Sequence, residues 1–306
     1  MTDALTDILE SIRMQGSVFS RATLTAPWGV ESGPTPSGMF HAVVSGSAWV
    51  TLADGGSPIA LERGDVVMMP FGDNHLMTDE PGTSTRPIAD LNSVDRFGRG
   101  RLVVEGDGPS TSLICGTVRF DDGSAHPVLS MLPPLMHIRD HAGRMSGAVE
   151  TLIGLIADEM DHPEAGTETV VARLTDALIV YVLRSYVEQL PAGEGDWLAA
   201  LKDPPIREAL GLIHRSPERP WTAAELADLV GMSRSGFFGR FRDSVGQTPA
   251  QYLTRWRIHL ATRYLGEEGL SVSAVAHRVG YATEAAFSNA FKRVMGVRPG
   301  AYRRAA

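Results

Sequence analysis

The chain has 306 residues, 43% of them hydrophobic and 21% charged, a length that points to two domains because single cores stop growing near about 250–300 residues. No apolar run reaches the roughly 18–20 residues needed to span a bilayer, the first thirteen residues are acidic where a signal peptide is basic, and the single cysteine, Cys115, excludes an intrachain disulfide; together these features place the chain in a reducing cytoplasm. The formal charge of −8 conceals an asymmetry: residues 1–205 hold 13 Lys/Arg and 28 Asp/Glu, while residues 206–306 hold 15 Lys/Arg and 8 Asp/Glu. A basic block on an acidic chain is an electrostatic footprint for a polyanion, or a solvated face and nothing more.

In chain order, residues 1–13 read as the start of an amphipathic helix. Residues 20–120 read as β structure. Short stretches such as Phe40-His-Ala-Val-Val, Ala48-Trp-Val-Thr-Leu and Asp65-Val-Val-Met-Met are separated by Gly/Pro/Asp clusters, the pattern of a sandwich or barrel. From about residue 128 the period becomes helical. Leu152, Ile153, Ile156 and Met160 form one stripe, and Val170, Leu174, Ala177, Leu178, Tyr181 and Val182 form another, as expected of a helical hairpin. Its apolar faces either pack on the β structure or leave one face for a partner subunit. Residues 191–205, rich in Pro, Gly and Asp, read as a linker.

The basic block contains an internal repeat. Leu226-Ala-Asp-Leu-Val-Gly231, Phe237, Phe241, Gly246, Pro249 and Tyr252 recur as Val275-Ala-His-Arg-Val-Gly280, Phe287, Phe291, Gly296, Pro299 and Tyr302. Each feature has a local job. Ala227 and Ala276 let two helices approach closely. Gly231 and Gly280 take the left-handed conformation that ends a first helix. Ser233 and Thr283 cap a second helix, whose buried stripe is the phenylalanine pair. That is a helix-turn-helix, at about 222–245 and again at about 271–295, and its second helix can enter the major groove.

The stretch from Trp221-Thr-Ala-Ala-Glu-Leu-Ala to Tyr252-Leu-Thr-Arg-Trp-Arg, with Val279-Gly-Tyr and the run from Phe287 to Tyr302, resembles the AraC/XylS family of transcriptional regulators over residues 206–304. The resemblance implies that a helix at about Pro249–Gly266 joins the two units, with the recognition helices in successive major grooves about 34 Å apart. It also implies base-facing positions at Arg234, Ser235, Phe238 and Gly239 in the first unit, and at Glu284, Ala285, Ser288 and Asn289 in the second. Gly239 and Asn289 stand where family members often carry arginine. Glycine has no side chain to read a base edge, whereas Asn289 suits adenine, Glu284 suits cytosine N4, and Phe238 either meets a thymine methyl or packs. Arg240, Arg242, Arg255, Arg257, Arg278, Lys292, Arg293 and Arg298 are the expected phosphate contacts.

Gly64-Asp-Val-Val-Met-Met-Pro-Phe-Gly-Asp-Asn-His75 fits the second cupin motif, and Phe40 to Trp49 resembles a reduced first motif. The segments around Cys115 and Met131 resemble the cupin-type sensor domain of one AraC subgroup. The expected fold class is therefore α+β: a cupin-like β-barrel with a helical dimerisation hairpin over 1–190, then an all-α DNA-binding domain over 206–306. Only His41 survives of the first motif's ligands, which argues against catalysis by the usual cupin route. His41, His75 and Cys115 remain a ligand set for zinc or another divalent ion; otherwise His75 is a relic and Cys115 a small buried hydrophobe or a redox sensor. His126, His137 and His141 read as ordinary loop or interface residues. A small effector is expected inside the barrel against Trp28, Phe40 and Trp49. The whole reads as an effector-responsive, dimeric activator that binds a double-stranded operator and works with RNA polymerase. A metal-dependent cupin enzyme fused to a DNA-binding tail and a metal- or redox-sensing regulator are the alternatives.

Overall fold

A computed structural model describes residues 14–94, 100–120, 132–139, 146–190, 200–266 and 270–305. The expected helix at residues 1–13, residues 191–199 of the expected linker, His126 and His141 lie outside the described residues. The chain divides into two compact units, one built from residues 14–120 and 133–189, the other from residue 190 onward.

In the first unit the β-rich segments become β1 (Met14–Thr25), β2 (Gly29–Ser32), β3 (Gly38–Ser45), β4 (Ala48–Leu52), β5 (Ile59–Leu61), β6 (Val66–Met69), β7 (His75–Thr78), β8 (Arg86–Pro87), β9 (Asn92–Val94), β10 (Gly100–Val104), β11 (Ser110–Phe120) and β12 (Met136–Ile138). The cupin-like unit of the expected fold is present, without closure of its barrel: among the described residues the strands form two separate sheets, ordered β12-β6-β3-β11-β1-β10-β9 and β5-β4-β7-β2-β8. The chain changes sheet where the ladder fails: β1 pairs with β11 as far as Thr25, and Pro27, which has no N–H to extend a ladder, precedes the entry of β2 into the second sheet. The inner faces share one core, to which the larger sheet contributes Met39, Val43, Val67, Met69, Leu113 and Cys115 and the smaller sheet Val30, Val50 and Met77, with Trp28 among them.

The other face of the larger sheet is covered by the expected hairpin, α1 (Ser146–Asp161) and α2 (Thr167–Gln189). Contact is close: a Cβ on Gly16 of β1 would stand 2.5 Å from Thr175 and 2.9 Å from Ile179. Val149, Ile153 and Ile156 of α1 and Val171, Leu178, Ile179 and Val182 of α2 are buried, whereas Leu155 and Val170 are exposed.

The second unit is all helical: α3 (Pro204–Arg215), α4 (Ala223–Leu229), α5 (Arg234–Val245), α6 (Pro249–Gly266), α7 (Val272–Arg278), α8 (Glu284–Met295) and α9 (Pro299–Ala305). Pairs α4–α5 and α7–α8 are the two copies of the repeat. In each, the capping hydroxyl accepts from the third residue of the second helix: Ser233 from Gly236 N–H and Thr283 from Ala286 N–H. Both turns use the left-handed glycine, Gly231 at φ +70° and Gly280 at φ +85°. Gly280 is needed twice over, since a Cβ there would lie 2.4 Å from the carbonyl of Glu218. Ala227, Ala276, Phe237, Phe241, Phe287, Phe291 and Tyr252 are fully buried. Helix α6 spans Pro249–Gly266 and carries both copies.

Candidate nucleic-acid interface and sensor core

The buried stripe of α5 is Phe237, Phe241 and Val245, so the opposite face of that helix is turned outward. Arg234, Ser235 and Phe238 are exposed, and Phe238 is 39% exposed, a high value for an aromatic ring. Nothing lies within 4 Å of where a Cβ on Gly239 would stand. In α8 the same geometry exposes Glu284, Ala285 and Asn289 and leaves Ser288 half-buried. All the base-facing positions inferred from the sequence except Ser288 and Gly239 are thus exposed.

The expected phosphate contacts separate into four groups. Lys292 and Arg293 in the last turn of α8 and Arg298 just beyond it are exposed. Arg242 and Arg240 are exposed but already face carboxylates: Arg242 lies 3.4 Å from Asp243, and Arg240 donates from Nε to Asp203. Arg278 stacks over the Tyr264 ring at 4.0 Å, and Arg255 is half-buried. Arg257 is a correction. It is buried, and its guanidinium donates to three backbone carbonyls, those of Pro217 at 2.6 Å, Glu218 at 3.1 Å and Arg219 at 3.0 Å, while lying 5.5 Å from the Tyr281 ring. With the residue buried and three of its five donors held by backbone carbonyls, Arg257 is a strut. It braces the loop before the first copy against the turn of the second.

Sequence reasoning passed over several residues that set this surface. Thr222 and Glu225 form a capping box, a Thr-x-x-Glu pattern that was legible. Ser271 caps α7 by accepting from Ala274 N–H. His214 hydrogen-bonds Tyr252 Oη through Nε2 at 2.7 Å and stacks on Trp256 at 3.9 Å. Burial, with the charges of His259 and Arg215 adding to it, pushes the His214 imidazole down to about 3, so this cluster is neutral.

In the sensor unit the three expected ligands do meet. Cys115 and His41 are direct partners on β11 and β3, and His75 reaches them from β7 in the opposite sheet. Cys115 Sγ lies 3.1 Å from His41 Nδ1, His41 Nε2 lies 2.7 Å from His75 Nε2, and His75 Nδ1 lies 2.9 Å from the backbone carbonyl of Asp73. Burial lowers both imidazoles, with the neighbouring His75 adding to the effect at His41, and raises the thiol to about 12. With every group neutral, one proton arrangement satisfies all of them. The Asp73 carbonyl can only accept, so His75 Nδ1 donates. His75 Nε2 must then accept from His41 Nε2, and His41 Nδ1 must accept from the thiol.

As placed, the three side chains form a hydrogen-bonded chain rather than a tetrahedral ligand set. One tetrahedral zinc holds ligand nitrogens at about 2.0–2.1 Å and so roughly 3.3 Å apart, wider than the hydrogen-bonded pair here. His41 also presents opposite ring edges to Cys115 and His75, so the three donors do not converge on one point. Among the described residues no group of three His, Cys, Asp or Glu side chains is arranged to hold an ion. Burial raises the Cys115 thiol and so disfavours the thiolate that a redox sensor uses. His137 has a task of its own, pairing with Asp65 at 3.0 Å to fasten β12 to β6.

The expected effector pocket is also corrected. Strands alternate faces, so with Met39, His41 and Val43 inward, Phe40 points to the helix side. There its ring occupies the space over Gly116, 2.3 Å from where a Cβ would be. Trp49, between inward Ala48 and Val50, is half-buried on the outer face, and Trp28 alone belongs to the inter-sheet core. A cavity of about 350 Å³ lies elsewhere in this unit, between β1 and the hairpin, lined by Ser17, Val18, Met160, Thr167, Val171 and Ala172, with Glu168 at its edge.

Residues 3–188 match the family described as Cupin, and residues 226–305 match the helix-turn-helix domain. An AraC-like transcription regulator of Streptomyces lividans is 33% identical over 302 residues, 99% of this chain and 98% of that one. This chain belongs to the AraC family of transcriptional regulators. As an AraC-type regulator it is also similar to AlkR of Acinetobacter baylyi, 32% identical over 98% of this chain and 99% of that protein. RclR of Escherichia coli, described as an RCS-specific transcriptional activator, is 26% identical over 98% and 97% of the two chains. The AraC-type domain makes DNA its partner. No helix among the described residues is long and apolar enough to cross a membrane.

Proposed function

We propose that this AraC-family protein is an effector-responsive activator, a cytoplasmic homodimer that binds a double-stranded operator and recruits or contacts RNA polymerase. The observation that carries the reading is its organisation: a complete pair of helix-turn-helix copies joined in one chain to a separately cored cupin-type unit. The activator RclR has the same full-length correspondence. The exposed Leu155 and Val170 on the hairpin support a second copy of the chain as the partner of that face. The filled inter-sheet core moves the proposed effector site to the cleft beside β1, whose size suits a small molecule. An effector acts there only if it binds the DNA-competent and incompetent states with different affinity. In the second unit Arg234, Ser235, Phe238, Glu284, Ala285, Ser288 and Asn289 read bases, and Lys292, Arg293 and Arg298 hold phosphates.

The test is in-vitro transcription from a promoter carrying a duplex selected by the full-length protein from a random library. Transcript yield is measured with and without compounds that raise the protein's thermal midpoint. An activator raises the yield, and Val171→Trp, which fills the cleft, removes the compound's effect while leaving DNA binding intact. A lowered yield would make the protein a repressor, and a response that survives Val171→Trp would move the effector site elsewhere.

A further inference from the structure

Gly239 stands in the interior of α5, where glycine is the poorest helix former apart from proline. Neither usual reason for a glycine applies. It is not among the residues of positive φ, and a Cβ on it would meet nothing within 4 Å. Gly236 in the same helix differs, since its Cβ would stand 2.9 Å from the capping hydroxyl of Ser233. The space at Gly239 is open toward something outside the chain. At about 100° per residue, Ser235 and Gly239 run along the centre of the outward face, opposite the buried phenylalanines. Phe238 rises beside them, with Arg234 one turn before it and Arg242 one turn after.

We infer that Phe238 and Gly239 form a ridge and a notch that take the 5-methyl group of a thymine in the major groove, so that the first unit reads thymine by shape. The bare Gly239 lets the helix backbone come close to the base edges. The Phe238 ring supplies an apolar surface for the one apolar group that a base pair displays in that groove. Arg234 and Arg242 lie one helical turn to either side of the contact. The inference rests on the reading of α5 as the helix that enters the groove.

The experiment uses full-length protein and a duplex it selects from a random library, with each thymine of the half-site bound by the first unit replaced in turn by deoxyuridine. Loss of one methyl weakens binding at one position by about fourfold, the factor for a single buried methyl-sized group, and Phe238→Ala abolishes that difference. Gly239→Ala raises the thermal midpoint, because alanine is the better helix former and meets no neighbour. The same substitution weakens binding to the selected duplex on the order of tenfold and leaves binding to a scrambled duplex unchanged. Three results would overturn the inference: Gly239→Ala binding as tightly as the parent, no uracil effect at any position, or a uracil effect that survives in Phe238→Ala. Failure to select any duplex would instead overturn the groove reading beneath it.

Discussion

The two helix-turn-helix copies share most of their buried scaffold and diverge on the outward faces of their second helices. Both use the alanine, the left-handed glycine, the hydroxyl cap and the phenylalanine pair, and in both these residues occupy the same places. On the outward face the first copy offers Arg234, Ser235, Phe238 and a bare Gly239, while the second offers Glu284, Ala285, Ser288 and Asn289. Scaffold and reading chemistry are therefore separable: the first face pairs an exposed aromatic ring with a bare glycine, where the second carries a carboxylate, a hydroxyl and an amide. The copies also differ in their supports. The first leans on α3 through the His214–Tyr252–Trp256 cluster, and the second is pinned through Arg257 and Gly280 to the loop of the first.

The most severe way to test the shared scaffold is to remove it. Phe237→Ala and Phe287→Ala should each lose about 3–5 kcal/mol, read by urea denaturation followed by circular dichroism. A much smaller loss at one of them would show that the copies are not packed alike.

Acid should separate the two copies. The His214 imidazole is held at about 3 against an ordinary 6.5. Below pH 6.5 the unfolded chain takes up a proton that the folded chain refuses, so this contribution is whole above 6.5 and shrinks as the pH falls toward 3. The second copy's own histidine, His277, is exposed. Residue-resolved denaturation by NMR at pH 7 and pH 5 should show the first copy weakening more, and equal weakening would contradict the assignment.

Arg257→Ala should lower stability by about 2–3 kcal/mol, as expected when charge-assisted hydrogen bonds are lost and their acceptors are left buried. The slope of DNA affinity against salt should stay the same. A phosphate contact would do the reverse, reducing that slope by about one, the change expected of Arg298→Ala.

These outcomes bear on what was legible in the sequence. The helical unit was legible because its code is local: caps, turn glycines and stripes all lie within a dozen residues of one another. Arg257 misled because helix α6, wedged between two copies, is buried on several faces. The run Trp256-Arg-Ile-His-Leu-Ala carries apolar residues all round, a pattern that signals burial even for an arginine. In the sheets, the meeting of Cys115, His41 and His75 depends on register between strands far apart in sequence, which composition does not encode. Phe40 could have been placed correctly: an inward His41 forces its neighbour outward. Sheet closure was out of reach, since it turns on which edges pair.

Asn289→Ala should relax discrimination at one base position by about 1–3 kcal/mol, measured as relative affinities across single-base operator variants. An unchanged profile would return direct reading to the first copy. The smallest difference lies in the caps. Thr222→Ala removes a reciprocal box and Ser271→Ala a single bond, so both should cost about 1 kcal/mol, the first slightly more by thermal melting.

The hydrogen-bond chain in the sensor core has a direction, because it ends on a carbonyl that can only accept. The Asp73 backbone thus decides where a proton sits on a thiol in the facing sheet, and the message cannot run backward. Position 115 will accept only a residue that hands a proton toward His41. Cys115→Ser keeps the sentence grammatical, whereas Cys115→Ala leaves its last word missing.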